Sequence, residues 1–192
     1  LGSTDSILQT TRQYLKEEEE LNDALRIASE RNNALAVFMR NFADVVRLPS
    51  PNRSEIEVNK VVQNVVTFMH AFATSKNIEV KITSMESVKQ PADFSQLEQV
   101  LVNVIKNAVE ACEPGKRVEL ILNSNQLIIR NNGKPITAQE SRQLFNPFYS
   151  NKPNGQGIGL TLSREILLNH GFPFSLKTNE EGWTEFTINF PA

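Results

Sequence analysis

The sequence predicts an α+β two-layer sandwich, with helices on one face of a mixed and mostly antiparallel sheet, preceded by an antiparallel helical hairpin. Three observations carry this reading. From Ser3 to Leu48 there is neither glycine nor proline, which suits uninterrupted helix. Beyond Pro49-Ser50-Pro51, short alternating segments interleave with segments of helical spacing. Five of the eight glycines fall between residues 133 and 171, so the composition shifts along the chain. A length of 192 residues suits one or two domains. Because proline disfavours helix at the residue before it, the first helical part is expected to stop near Leu48. The domains are accordingly read as 1–50 and 51–192.

In the first part, Leu21, Leu25, Ala28, Asn32, Leu35, Met39, Phe42 and Val46 step by four and three. This is a heptad seam that asks for a partner helix, with Asn32 as its one polar position. The stretch with Ile7, Leu8, Thr11, Tyr14 and Leu15 supplies a shorter antiparallel helix, and the acidic run Glu17 to Glu20 lies where the chain would turn. Fifty residues cannot close a two-helix core alone, so a hairpin that dimerises is expected.

The second part reads in order as an extended entry at Glu55–Val58, a helix over Asn59–Thr74 and a strand over Asn77–Ile82. A helix over Ser95–Cys112 follows from the spacing of Leu97, Val100, Leu101, Val104, Ile105 and Val109. Arg117–Leu122 and Gln126–Arg130 are strands joined by a hairpin-type turn at Asn123-Ser124-Asn125. A helix over Gly157–Asn169, opened by glycines, and strands over Phe174–Lys177 and Thr184–Phe190 close the chain.

Composition excludes several classes of function. Twenty Lys+Arg against 22 Asp+Glu leave no broad footprint for nucleic acid. One cysteine, Cys112, cannot pair within the chain, and two histidines, His70 and His170, match no zinc spacing. No apolar run approaches the roughly 18 residues that span a bilayer, and no signal peptide opens the chain. A soluble piece of a longer protein, from a reducing compartment, is expected.

Four stretches carry chemistry. Asn103 and Asn107 are four apart and share one helix face; amide oxygens there suit magnesium better than zinc, or they cap neighbouring strands and loops. Asn131-Asn132-Gly133-Lys134-Pro135 follows a strand, as an ordinary turn or as a place where backbone and an amide meet a flat ligand. Phe145 to Lys152 packs aromatics and a proline too closely for regular structure. Gly155, Gly157 and Gly159, followed by Leu160, precede a helix whose N-terminus favours phosphate, although the spacing is neither a Rossmann fingerprint nor a Walker loop. The last two together look like a loop hinged by glycine, with Lys152 poised toward phosphate oxygens.

In this order, Asn-x-x-x-Asn-Ala, Asn-Asn-Gly-Lys-Pro, Phe-x-Pro-Phe-Tyr-Ser-x-Lys and Gly-x-Gly-x-Gly-Leu resemble the ATPase domain of sensor histidine kinases. That domain belongs to a superfamily with gyrase, MutL and a heat-shock chaperone, and shares its Bergerat (GHKL) fold. The first fifty residues are similar to the second half of a kinase dimerisation hairpin, and Arg40–Pro51 resembles the nitrogen-regulation type of kinase. The resemblance implies ATP and magnesium as cofactors, with Asn107 on the metal and Asn103 beside it. Asn131 stands where the family has an aspartate that accepts a bond from the adenine amine, and Gly133 lies under the base. Phe145 and Phe148 anchor a lid, Lys152 reaches phosphate, and Gly155, Gly157, Gly159 and Leu160 form the second glycine box.

The chain departs from that pattern at Asn131, which lacks the aspartate's charge, and at Pro135, which replaces a glycine. Asn103 replaces the superfamily's hydrolytic glutamate, and an amide cannot act as a general base. The phospho-accepting histidine is absent and is expected upstream of Leu1, so this piece alone is expected not to autophosphorylate. His70 and His170 are read as structural or surface histidines, Cys112 as a buried helix residue and Trp183 as a core filler. The resemblance implies a kinase that passes phosphate from its histidine to an aspartate on a response-regulator receiver domain. It further implies a homodimer through the hairpin and a cytoplasmic location compatible with an inner-membrane anchor elsewhere in the protein. No nucleic acid or membrane contact is expected of this piece. Two other readings are a degenerate, nucleotide-insensitive dimerisation scaffold and an ATPase that uses hydrolysis for clamp closure.

Overall fold

The computed structural model describes residues 7, 10, 14, 18, 20–32, 35, 36, 39, 43, 48–152 and 157–191. The chain divides into two compact units, Leu1–Ala43 and Asp44–Ala192. In the first unit residues 20–32 form helix α1, and the other described residues of that unit are helical too. Glu18 and Glu20 are both helical, and the rest of the expected turn lies outside the described residues. Leu21, Leu25, Leu35 and Met39 of the heptad seam are all exposed, whereas Phe42 and Val46 lie outside the description.

The second unit begins with strand β1 (Ser54–Glu57) and helix α2 (Val58–Ser75). Strands β2 (Glu79–Met85) and β3 (Lys89–Ala92) lead to helix α3 (Phe94–Glu110). The hairpin of β4 (Arg117–Asn123) and β5 (Gln126–Asn131) follows, then the short helix α4 (Ala138–Ser141). Helix α5 (Gly159–His170), β6 (Phe174–Thr178) and β7 (Thr184–Asn189) complete it. Five strands form one sheet in the order β2-β4-β5-β7-β6, and β1 pairs with β3 in a separate two-stranded sheet. Only β2 and β4 run parallel among the paired strands, because β3 and α3 carry the chain across between them.

Period-2 alternation decides which side of the sheet is covered. Val118, Leu120 and Leu122 of β4, Leu127 and Ile129 of β5 and Phe186 and Ile188 of β7 are buried in one cluster. The apolar stripes of α2 (Val61, Val62, Val65, Met69) and α3 (Leu97, Val100, Leu101, Val104, Ile105) join that cluster. The helices thus lie on one face, as the sequence predicts.

The opposite face carries charge. Glu119 is 6% exposed, yet its carboxylate accepts from Arg117 Nε at 2.8 Å and from Arg130 Nη2 at 2.7 Å. Trp183 lies against the same two guanidiniums, at 4.6 Å from Arg130 and 5.3 Å from Arg117. This corrects the expectation that Trp183 fills the core: the indole covers the ladder on the helix-free face. Burial works to raise the Glu119 carboxyl, but the bonds and charge of Arg130, and then of Arg117, outweigh it and hold the group below its ordinary range.

Two elements escape sequence reading. β3 contains Pro91, which argues against a central strand; here it pairs opposite Glu55 in a two-stranded ribbon. α4 spans four residues and has no apolar period, but it opens with a capping box between Thr137 and Glu140.

Candidate functional site

Helix α3 brings the two box asparagines to one face. Its N-cap is Asp93, whose side chain accepts the Gln96 N–H at 3.1 Å and the Asn52 N–H at 2.9 Å. Burial tends to raise the Asp93 carboxyl, and these backbone bonds overcome it and lower it. Asp93 N–H in turn donates to His170 Nε2 at 3.0 Å, so that nitrogen carries no proton, and Nδ1–H is left to the Ile166 carbonyl at 2.7 Å. His170 is therefore a buried tie between the start of α3 and the end of α5, in line with its structural reading. Gly171 terminates α5 at φ 74°, a left-handed cap open to glycine.

Further along α3, Asn103 Nδ2 donates to Ser163 Oγ of α5 at 2.8 Å, and Asn107 Nδ2 lies 3.4 Å from Asn103 Oδ1. A Cβ on Gly159 would stand 2.1 Å from Asn103 Oδ1, so glycine is what lets α5 begin against this amide. Ser163 is buried and was not legible as a partner; only its place on the facing helix reveals it.

Asn107 Oδ1 points to a cation. Lys152 Nζ donates to it at 2.9 Å and to Glu110 Oε2 at 2.5 Å. The sequence reading overlooked Glu110; its only signal is a carboxylate three residues after Asn107 on the same helix face. The amide and carboxylate oxygens form a hard donor set, and the Lys152 ammonium sits on it as a stand-in ion, so the residues present fit magnesium. Lys152 lies on a segment fixed from behind. Phe145 packs edge-on against Phe174 at 5.3 Å, and Asn151 Nδ2 donates to Glu140 Oε1 at 2.8 Å. The Glu140 carboxyl is held at about 2, first by the Thr137 N–H, then by the Thr137 hydroxyl and by Asn151.

Phe148 contributes differently from Phe145. It has φ 68° and a 49% exposed ring, and its N–H donates to the Gly157 carbonyl at 2.9 Å. Its backbone, rather than a buried ring, meets the glycine box. Gly157 has φ 65°, and a Cβ there would come within 2.3 Å of the Phe148 carbonyl carbon. At the entrance of α5 the cap residue is Ile158, whose apolar side chain cannot accept from the first N–H groups of the helix. Leu160 packs partly buried against the core. Gly155 lies outside the described residues.

Asn131 ends β5 and is buried. Its Oδ1 accepts the Gly133 N–H at 3.1 Å and lies 3.9 Å from Cys112 Sγ. Gly133 is required by close approach: a Cβ would stand 2.2 Å from the Ala111 carbonyl oxygen. Cys112 is not within α3 as expected, because α3 ends at Glu110; the thiol is half-buried in the following turn, and burial raises it. Asn103, Asn107, Lys152, Gly157 and Gly159 thus join along α3 and the start of α5, while Asn131 and Gly133 meet the end of α3.

The profile of the family described as histidine kinase-, DNA gyrase B- and HSP90-like ATPase matches residues 92–192, just over half of the chain. Sensor protein TdiS of Thauera aromatica is 26% identical over 190 residues, covering 93% of this chain and 35% of its own length. The chain therefore spans about a third of that relative. The catalytic domain of histidine kinase ThkA superposes with a TM-score of 0.65 at 25% identity, covering 73% of this chain and 95% of that one. Histidine kinase ThkA in complex with response regulator protein TrrA gives a TM-score of 0.69 at 20% identity, covering 86% of this chain and 50% of that one, and shows the fold alone.

Proposed function

The chain belongs to the histidine kinase-, DNA gyrase B- and HSP90-like ATPase family, and from that premise we propose that it is the ATP-binding part of a two-component sensor histidine kinase. The observation that carries this is the cation held on Asn107 Oδ1 beside the glycine-opened start of α5. Asn107 Oδ1 would hold magnesium, which when bound neutralises phosphate charge and fixes phosphate geometry. Backbone N–H groups at the start of α5 bind phosphate oxygens, and Lys152 adds a mobile positive charge. Asn103, spent on Ser163 and lacking a carboxylate, cannot activate water, which favours a kinase over a hydrolytic clamp.

Asn131 stands for the residue that reads adenine. Its Oδ1 already accepts the Gly133 N–H and carries no formal charge, so Asn131→Asp should tighten ATP roughly fivefold, about 1 kcal/mol. The intact protein would phosphorylate a histidine outside this sequence and transfer the group to a response-regulator aspartate. The exposed seam Leu21, Leu25, Leu35 and Met39 supports dimerisation through the first unit. The whole assignment to domains 1–50 and 51–192, the nitrogen-regulation type and the cytoplasmic location belong to this proposal. Among the described residues no helix is long and apolar enough to cross a membrane.

Calorimetric titration with a non-hydrolysable ATP analogue, with and without magnesium, tests the reading. Saturable binding that strengthens with magnesium is expected. Absence of binding by folded protein would move the function to a nucleotide-insensitive dimerisation scaffold.

A further inference from the structure

The geometry points to a single cation seat on α3, formed by Asn107 Oδ1 and the Glu110 carboxylate, which the Lys152 ammonium bridges and for which a divalent cation would compete when nucleotide is loaded. This rests on the reading of the site as a nucleotide site, but the seat itself is defined by side chains of this chain alone. Lys152 Nζ is within hydrogen-bond distance of both oxygens at once, 2.9 Å from Asn107 Oδ1 and 2.5 Å from Glu110 Oε2. One cation therefore bridges an amide and a carboxylate three residues apart on a helix, a hard oxygen pair of the kind that magnesium and manganese accept.

The seat is exchangeable because of what surrounds it. Glu110 retains 23% side-chain exposure and Lys152 37%, so water can solvate either partner during a swap. The other Glu110 oxygen lies 4.0 Å from Lys106 Nζ, so the carboxylate keeps a second ammonium nearby when Lys152 leaves. Lys152 comes from a loop rather than a paired strand, and its neighbour Asn151 stays tied to Glu140 at 2.8 Å. The lysine side chain can thus turn from the seat toward an anionic ligand without unfastening the segment behind it. Glu110 is then a positioning residue for Lys152 and an oxygen donor to the metal, and the two cations exclude each other.

The test uses the chain with and without nucleotide. In the nucleotide-free protein, Glu110→Gln should raise amide exchange across residues 148–152 by roughly tenfold, since the neutral amide no longer holds the ammonium. Lys152→Met empties the seat, so manganese alone should broaden the NMR signals of residues 107–110 at roughly tenfold lower concentration than in the unaltered chain. Adding Glu110→Gln to Lys152→Met should abolish that gain. Unchanged loop exchange in Glu110→Gln, or manganese broadening indifferent to Glu110 in the Lys152→Met background, would overturn the shared seat. If the manganese and exchange results hold while no nucleotide binds, the seat stands and the kinase reading falls; nucleotide binding without them has the reverse meaning.

Discussion

Glu119 and Glu110 each hold two cationic side chains, yet they do opposite work. Glu119 is 6% exposed and sits between Arg117 and Arg130, which come from paired strands β4 and β5. Its partners are planar forks set by sheet register, and Trp183 covers them, so the cluster has one arrangement. Glu110 is partly exposed and meets Lys152, a flexible ammonium from a loop 42 residues away. The difference teaches that a carboxylate's role follows from what carries its counter-ion. Arginines locked by a ladder make a permanent brace, whereas a lysine on a loop makes a contact that a ligand can replace.

The sharpest way to break that comparison is to remove each carboxylate. Glu119→Ala should cost ~2 kcal/mol in urea unfolding, because the partly buried Arg130 and the half-exposed Arg117 lose their shared charged acceptor. Glu110→Ala should cost under ~1 kcal/mol, as expected for a half-exposed pair. Equal losses would end the distinction between brace and seat. Next in size, Asn107→Ala should weaken magnesium-dependent nucleotide binding on the order of 10- to 100-fold in calorimetry while leaving the unfolding midpoint nearly unchanged. A large drop in stability instead would make Asn107 a structural amide like Asn103.

Smaller effects refine the picture. Asp93→Ala removes the cap of α3 and should cost ~1 kcal/mol, read again in urea, since the Gln96 and Asn52 N–H groups lose their acceptor. The smallest effect is on the loop. The Glu140 carboxyl lies at about 2 in the folded chain against an ordinary 4.5, so it stabilises fully above about 4.5. That contribution is lost as the pH falls through about 2. Acid titration should release Asn151 in this window, seen as a change in its side-chain amide NMR shift, and Glu140→Gln should flatten the dependence. Glu119, also lowered, loses its own contribution on the same acidic side, and Glu119→Gln separates the two.

Much of the architecture was legible. The apolar spacing of Leu97, Val100, Leu101, Val104 and Ile105 marked α3 and its buried stripe, and the strand alternation of Arg117–Leu122 and Gln126–Arg130 marked the central hairpin. β3 was not, because Pro91 and a four-residue length suppress the strand signal, and a ribbon partner 32 to 38 residues earlier rescues it. Trp183 was misread because an aromatic near a terminal strand usually packs inward; here its neighbour Thr184 takes the buried register and the indole faces the arginines.

The candidate site divides in the same manner. The order and spacing of Asn103, Asn107, Asn131, Gly133, Lys152, Gly157 and Gly159 are properties of the chain alone, since helix period and glycine freedom act over a few residues. That Lys152 sits on Asn107 and Glu110, that Asn103 is bound to Ser163, and that Gly133 clears the Ala111 carbonyl were decided only by the tertiary structure. These partners are 22 to 60 residues apart. Local pattern states which face a side chain occupies, but packing of the whole sheet against α3 and α5 chooses what that face meets.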